Sequence, residues 1–404
     1  MKKWRWILPV IILLLATTVC EAKSQTDGGV YKTSSTSQNM EKNEVLREGS
    51  ASQEDVQEEL FAKFDFTEID EMLDEIFPEE KLGFQEMITG LITGEIKLSF
   101  DTIKSFLWDQ LAYELDSSKS GMIHILILVI IAAVFANFSG VFKSTQVSEI
   151  SFIMLYMLLI TICLENFRVL VECATENVGR LTEFMKLLGP IYFLAVAFAT
   201  GSSTSVTFYH IVLLLIFFIE ILIANFLIPL TQIYLVIRIL GELSPEIHFT
   251  KFAELIETVV SWCLKTLLAT VIGLNVIQGL LSPAIDSVKR SVLTRGGEAI
   301  PFIGDIFGGV TEVVLGTAVL IKNGIGVAGM VICLVVCVSP LLQLAITTLM
   351  YQLVAALIQP ISDKRMVDCI SGVAEGTKML LKIVFEVAIL FLINIAVVAT
   401  TTGG

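Results

Sequence analysis

Histidine is almost missing from this chain, with three in 404 residues, His124, His210 and His248. None has a partner at helical spacing, so a histidine-built metal site is not expected. There is no H-E-x-x-H, no G-x-x-x-x-G-K phosphate loop and no G-x-S-x-G elbow, which leaves the common hydrolase and nucleotide-binding chemistries without a motif. Residues 23–121 contain no cysteine, which removes a disulfide framework from that segment. Elsewhere cysteines are small apolar packing residues on the plainest reading, including Cys333 and Cys337 one helical turn apart. Charge is missing over long stretches: Met122–Phe142 has none, and Leu187–Ile237 has only Glu220.

What is present is apolar, 54% of residues, with a mean hydropathy of +0.78. Repeated charge-free runs near 20 residues predict an all-α, polytopic membrane protein. The formal net charge of −14 is concentrated in one place. Residues 23–121 carry 9 Lys and Arg against 22 Asp and Glu, a net of −13, which argues against nucleic-acid binding there.

Residues 1–22 read as a signal peptide, with Lys2, Lys3 and Arg5 before an apolar core and Ala22 as the cleavage position. The alternative is an uncleaved anchor; either one exports the segment beginning at Lys23. Residues 23–55 are polar and read as a flexible tether. Across 56–121 apolar residues recur at helical spacing (Leu60, Phe64, Ile69, Leu73; Ile88, Leu91, Ile92; Phe106, Leu107, Leu111). They predict an acidic ectodomain of short amphipathic helices, packed on one another or docked on a partner or the lipid surface.

Residues 122–404 form the transmembrane domain. Spans are expected near 122, 150, 187, 206, 258, 301, 324 and 379. That is eight, or seven if Leu187–Thr200 is re-entrant. An exported N-terminus then puts Lys143, Lys289, Arg290, Arg295, Lys364 and Arg365 on the cytoplasmic side, as basic residues prefer.

Pro190 and Pro301 are 111 residues apart, as are Pro229 and Pro340, and the second pair shares the pattern Pro-Leu-x-Gln, ending at Gln232 and Gln343. An inverted repeat over 150–258 and 259–370 would explain this, as would coincidence. The four prolines are candidate helix bends. Ionic and amide residues inside the apolar runs are candidate passage or intramembrane polar residues: Asp305, Glu312, Lys322, Asn323, Glu220, Lys265, Asn275, Lys382 and Glu386. Such groups persist where they are paired, near a surface or beside a wet interior. Lys382 and Glu386 have ion-pair spacing, and Glu220 and Lys265 are expected to be neighbours. Ile303-Gly304-Asp305 resembles an intramembrane aspartyl protease only in part, since Phe302 stands where such enzymes carry glycine. No catalytic, cofactor-binding or metal-binding residue is assigned, and an enzyme is not expected.

Four segments carry a resemblance: Gly279-Leu-Leu-Ser-Pro283-Ala-Ile-Asp286, Ile300-Pro-Phe-Ile-Gly304, Leu320-Ile-Lys322-Asn323-Gly-Ile-Gly326 and Gln359-Pro360. With the signal peptide and acidic ectodomain before them, the chain resembles the stage III sporulation protein AE family of endospore-forming bacteria. The resemblance implies a multi-pass protein of the mother-cell membrane facing the forespore, made during engulfment. It also implies membership of the channel, or feeding apparatus, joining the two cells. Implied partners are the other membrane and ring-forming proteins of the same operon, its ATPase and the forespore-side protein; apart from the resemblance, the lipid bilayer is an expected partner and a homo-oligomer is compatible with the sequence. Three functions are compatible with it: a permease-like subunit that forms or gates a passage, a scaffold that assembles the complex without conducting, or a stand-alone secondary transporter. The resemblance carries over no catalytic residue and no cofactor.

Overall fold

Apolar runs interrupted by opposite charges at helical spacing need not end a helix, and here they do not. The computed structural model describes residues 53–76, 83–94, 108–116, 145–200, 204–243, 250–297 and 304–401, with scattered helical positions between 119 and 134. No strand occurs among them. Three short helices come first, α1 (Gln53–Phe61), α2 (Thr67–Ile76) and α3 (Phe84–Thr93). Residues 108–116 are also helical. Then come α4 (Thr145–Thr200), α5 (Thr204–Leu222), a π turn (Ile223–Leu227), α6 (Ile228–Leu243), α7 (Thr250–Gly297), α8 (Gly304–Ile358) and α9 (Lys364–Thr401). The signal peptide, nearly all of the tether, most of Met122–Phe142 and Pro301 lie outside the described residues.

Five stretches are long and apolar enough to cross a membrane: Phe152–Ala199, His210–Gly241, Lys251–Leu274, Val314–Ile358 and Lys364–Val398. The protein is therefore an all-α polytopic membrane protein. The sequence divides the chain more finely than the structure does. Spans expected at 150 and 187 are one helix, α4, and those at 301 and 324 are joined in α8. The reason is visible in α4: Arg168 pairs with Glu172 at 3.0 Å and Arg180 with Glu176. These i, i+4 pairs support helix where their charge suggests a loop. Pro190 and Pro340 are both accommodated inside helices. Among the described residues the apolar chain is thus divided into fewer and longer helices than the expected spans.

At 56 and 55 residues, α4 and α8 are each about 80 Å long, against about 30 Å of hydrocarbon. Much of each helix must therefore pack outside the lipid. The core lies where α8 meets α4 and α9, and α9 also contacts α6 and α7. About half of the α8 and α9 spans is buried, but less than a third of α7. On α5, Leu214, Phe217, Phe218 and Ile221 are exposed, an apolar face suited to acyl chains.

The short helices pack on one another and also on the long ones, α1 and α3 against α8 and α2 against α4. Asp65 starts α2 by accepting the Thr67 N–H at 3.1 Å and its hydroxyl at 2.7 Å, an N-terminal cap. Those bonds, the hydroxyl first, hold its carboxyl below the usual value. Asp70 Oδ1 accepts the Phe84 N–H at 2.6 Å, tying α2 to the start of α3. Phe64 packs edge-on against Phe198 of α4, with ring centroids 5.9 Å apart. On α8, the missing side chains of Gly324 and Gly326 make room. A Cβ at Gly324 would lie 2.8 Å from Ile88 of α3, and one at Gly326 would lie 2.7 Å from the Tyr192 hydroxyl.

Candidate functional site

Proline has no N–H, so Pro340 leaves the carbonyl four residues earlier, that of Val336, without its helical donor. A bare carbonyl inside a membrane protein costs several kcal/mol, roughly, unless another group replaces the bond. Asn177 of α4 does so: its Nδ2 donates to the Val336 oxygen at 3.1 Å. Asn177 is buried, and its own Oδ1 has no hydrogen-bond partner among the described residues.

Further polar groups gather on both sides of this bond. Gln110 Nε2 donates to Ser339 Oγ at 3.1 Å and to Glu114 Oε1 at 3.2 Å, and Ser339 Oγ lies 3.3 Å from the same carboxyl oxygen. Cys173 Sγ donates to Gln343 Oε1 at 2.9 Å. Six side chains from three chain segments thus surround one interrupted turn of α8. Glu114 is buried, and that burial pushes its carboxyl above the usual value, while hydrogen bonds from Ser339 and Gln110 pull the other way. The arrangement can hold a proton on Glu114, orient small polar groups, and keep an irregular turn of helix in place between α4 and α8.

Of the residues expected from sequence, Pro340 alone belongs to this cluster. Asn177, Glu114, Ser339, Cys173 and Gln110 carry no signal of it in the sequence, and Gln343 appears there only as the end of the repeated Pro-Leu-x-Gln pattern. Pro340 in a long apolar run announces that some donor is needed, but nothing local says which.

The other expected residues are dispersed. Lys322 is wholly buried in α8, turned inward, whereas its neighbour Asn323 is exposed. The side chains of Asp305, Glu312 and Asn275 lie outside the described residues. Glu220 takes Lys186 of α4 as its partner at 2.8 Å, in place of the Lys265 expected beside it. Lys265 instead lies within electrostatic reach of Lys382 and Glu386. The i, i+4 pair expected on α9 is also altered, because Lys382 Nζ donates to Ser261 Oγ of α7 at 2.7 Å. A cluster not foreseen joins α6 to α9: Glu375 Oε2 accepts the Tyr234 hydroxyl at 2.7 Å and meets Arg238 Nη2 at 3.2 Å.

Pro229 is handled differently from Pro340. The turn before it widens, and the Ile228 N–H bonds to the Ile223 oxygen five residues back, a π turn that relieves the proline clash within the backbone.

Residues 82–402 match the family model of stage III sporulation protein AE. The chain is also similar along its length to the stage III sporulation protein AE of Bacillus subtilis (strain 168). Identity is 23% over 402 residues, covering 99% of this chain and 98% of that protein. No solved structure matches.

Proposed function

This chain belongs to the stage III sporulation protein AE family, and from that premise we propose that it is the permease-like membrane subunit of a channel complex between mother cell and forespore. Family membership supports a role in sporulation, and the long apolar helices support a place in the membrane. The finer reading puts the chain in the mother-cell membrane, with its N-terminal region exported and its partners drawn from the same complex. It acts without bond-making chemistry of its own, by forming or gating a passage.

The observation that carries this reading is the polar interior around Pro340. A helix that only anchors has no need of a buried carboxyl, an amide and a thiol gathered about an interrupted turn. Irregular backbone at membrane depth is tolerated where it is buried in protein or lines a cavity, and moving parts are drawn from such places.

A scaffold is the second reading, favoured by the docking of α1 and α3 on α8, which joins these short helices to the membrane bundle. Single substitutions separate the two. Lys322→Met and Glu114→Gln are expected to lower spore yield while protein level and co-purification of partner proteins stay normal. If spores are lost only where the complex fails to assemble, the scaffold stands and the passage falls.

A further inference from the structure

We propose that Glu386 is a proton-binding site in the interface between α7 and α9, with Lys382 as the cation that changes partner when the proton leaves. The two residues stand four apart on α9, the spacing at which lysine and glutamate ordinarily meet. Here they do not: Lys382 Nζ is bonded to Ser261 Oγ on α7 at 2.7 Å, and Oε2 of Glu386 is buried with no hydrogen-bond partner among the described residues. An ionised carboxyl oxygen left bare in a low-dielectric interior is heavily penalised, and a neutral acid far less so. That bare oxygen is tolerated better by a protonated Glu386 than by an ionised one.

When Glu386 ionises, its proton passes to water and the carboxylate draws Lys382 across one helical turn, releasing Ser261. No bond other than the O–H is broken, and the charge left on the carboxylate meets the lysine already present. Lys265 on α7 is within reach of both Glu386 and Lys382, and Lys378 on α9 and Glu257 on α7 are within reach of Lys382. Ionic groups on the neighbouring helices are held elsewhere: Arg238 of α6 by Glu375, and Arg180 and Lys186 of α4 by Glu176 and Glu220. Lys322 of α8 is wholly buried. Ser261 is therefore the element that sets the switch, by offering Lys382 a neutral alternative to the carboxylate.

This inference goes beyond the passage reading and does not depend on it. The test uses the full chain in phosphatidylethanolamine–phosphatidylglycerol vesicles and dicyclohexylcarbodiimide, which adds to protonated carboxyls in apolar surroundings. Peptide mass mapping locates the label. Label is expected on Glu386 and should fall as pH rises; Glu386→Gln should remove it. Ser261→Ala removes the neutral partner of Lys382 and favours its pairing with the carboxylate, and labelling at a fixed pH above the midpoint should drop about tenfold, the effect of a one-unit change in proton affinity. Lys382→Met should keep the label to higher pH than wild type. Helicity measured by circular dichroism establishes that each variant is folded. Absence of label on Glu386 at every pH in folded protein overturns the site. Ser261→Ala and Lys382→Met behaving as wild type overturns the switch.

Discussion

Pro229 and Pro340 sit in matching words of sequence, each followed by leucine and, two residues later, by glutamine, yet the protein treats them in opposite ways. Around Pro229 the remedy is local. The backbone widens into a π turn, and Asn225, Phe226 and Gln232 face outward. Around Pro340 the remedy comes from 159 residues away, where Asn177 supplies the missing donor, and Gln343 turns inward to accept from Cys173. Location decides the difference. On the outward side of the turn before Pro229, Asn225 and Phe226 are exposed, and the change is made within the backbone. Between α4 and α8 a neighbour is always within reach, and a freed carbonyl becomes a place to build polarity.

Three measurements would break or sharpen that contrast. Asn177→Leu should cost about 1–3 kcal/mol, because it strips a buried carbonyl of its donor, while Gln232→Leu on the exposed side should stay within about 0.5 kcal/mol. Thermal unfolding of the purified protein in detergent reads both, and equal losses would abolish the distinction. Next, Pro340→Ala returns an N–H to the Val336 carbonyl. A double-mutant cycle with Asn177→Leu should therefore show coupling of about 1 kcal/mol, and additivity would mean that Asn177 is not repairing the proline's damage.

The smallest effect is a pH dependence. Burial raises the Glu114 carboxyl above its usual value against the pull of its Ser339 and Gln110 hydrogen bonds, so burying residues 108–116 favours the protonated form. The attachment of residues 108–116 should be strongest below the usual carboxylate range and weaken as pH rises through the raised value. Protease protection of this segment, followed against pH, should decline over that window in wild type and stay flat in Glu114→Gln.

Much is legible in the sequence. Apolar runs and their charge-free lengths announce a helical membrane protein, because burial in lipid is decided residue by residue over about 20 positions. The short N-terminal helices are readable from the spacing of their apolar residues, and α1 to α3 carry that spacing. Where helices end is less so. Residues 172–186 look like a connection because of their charges, but those charges pair along one face of α4 and continue it. The partners of the ionic residues are least legible. Matching Glu220 to Lys265 by depth treats the bundle as layers, and Lys186 is the residue that packing brings to it.

From its own letters the chain settled the all-helical membrane class and the family, since each depends on neighbours in sequence or on the pattern as a whole. Tertiary structure alone decided that Asn177 answers Pro340, that Lys382 leaves Glu386 for Ser261, and that α3 rests on Gly324. A buried polar atom takes whichever partner the packing of remote helices puts within about 3 Å, and helical periodicity carries no information about that distance.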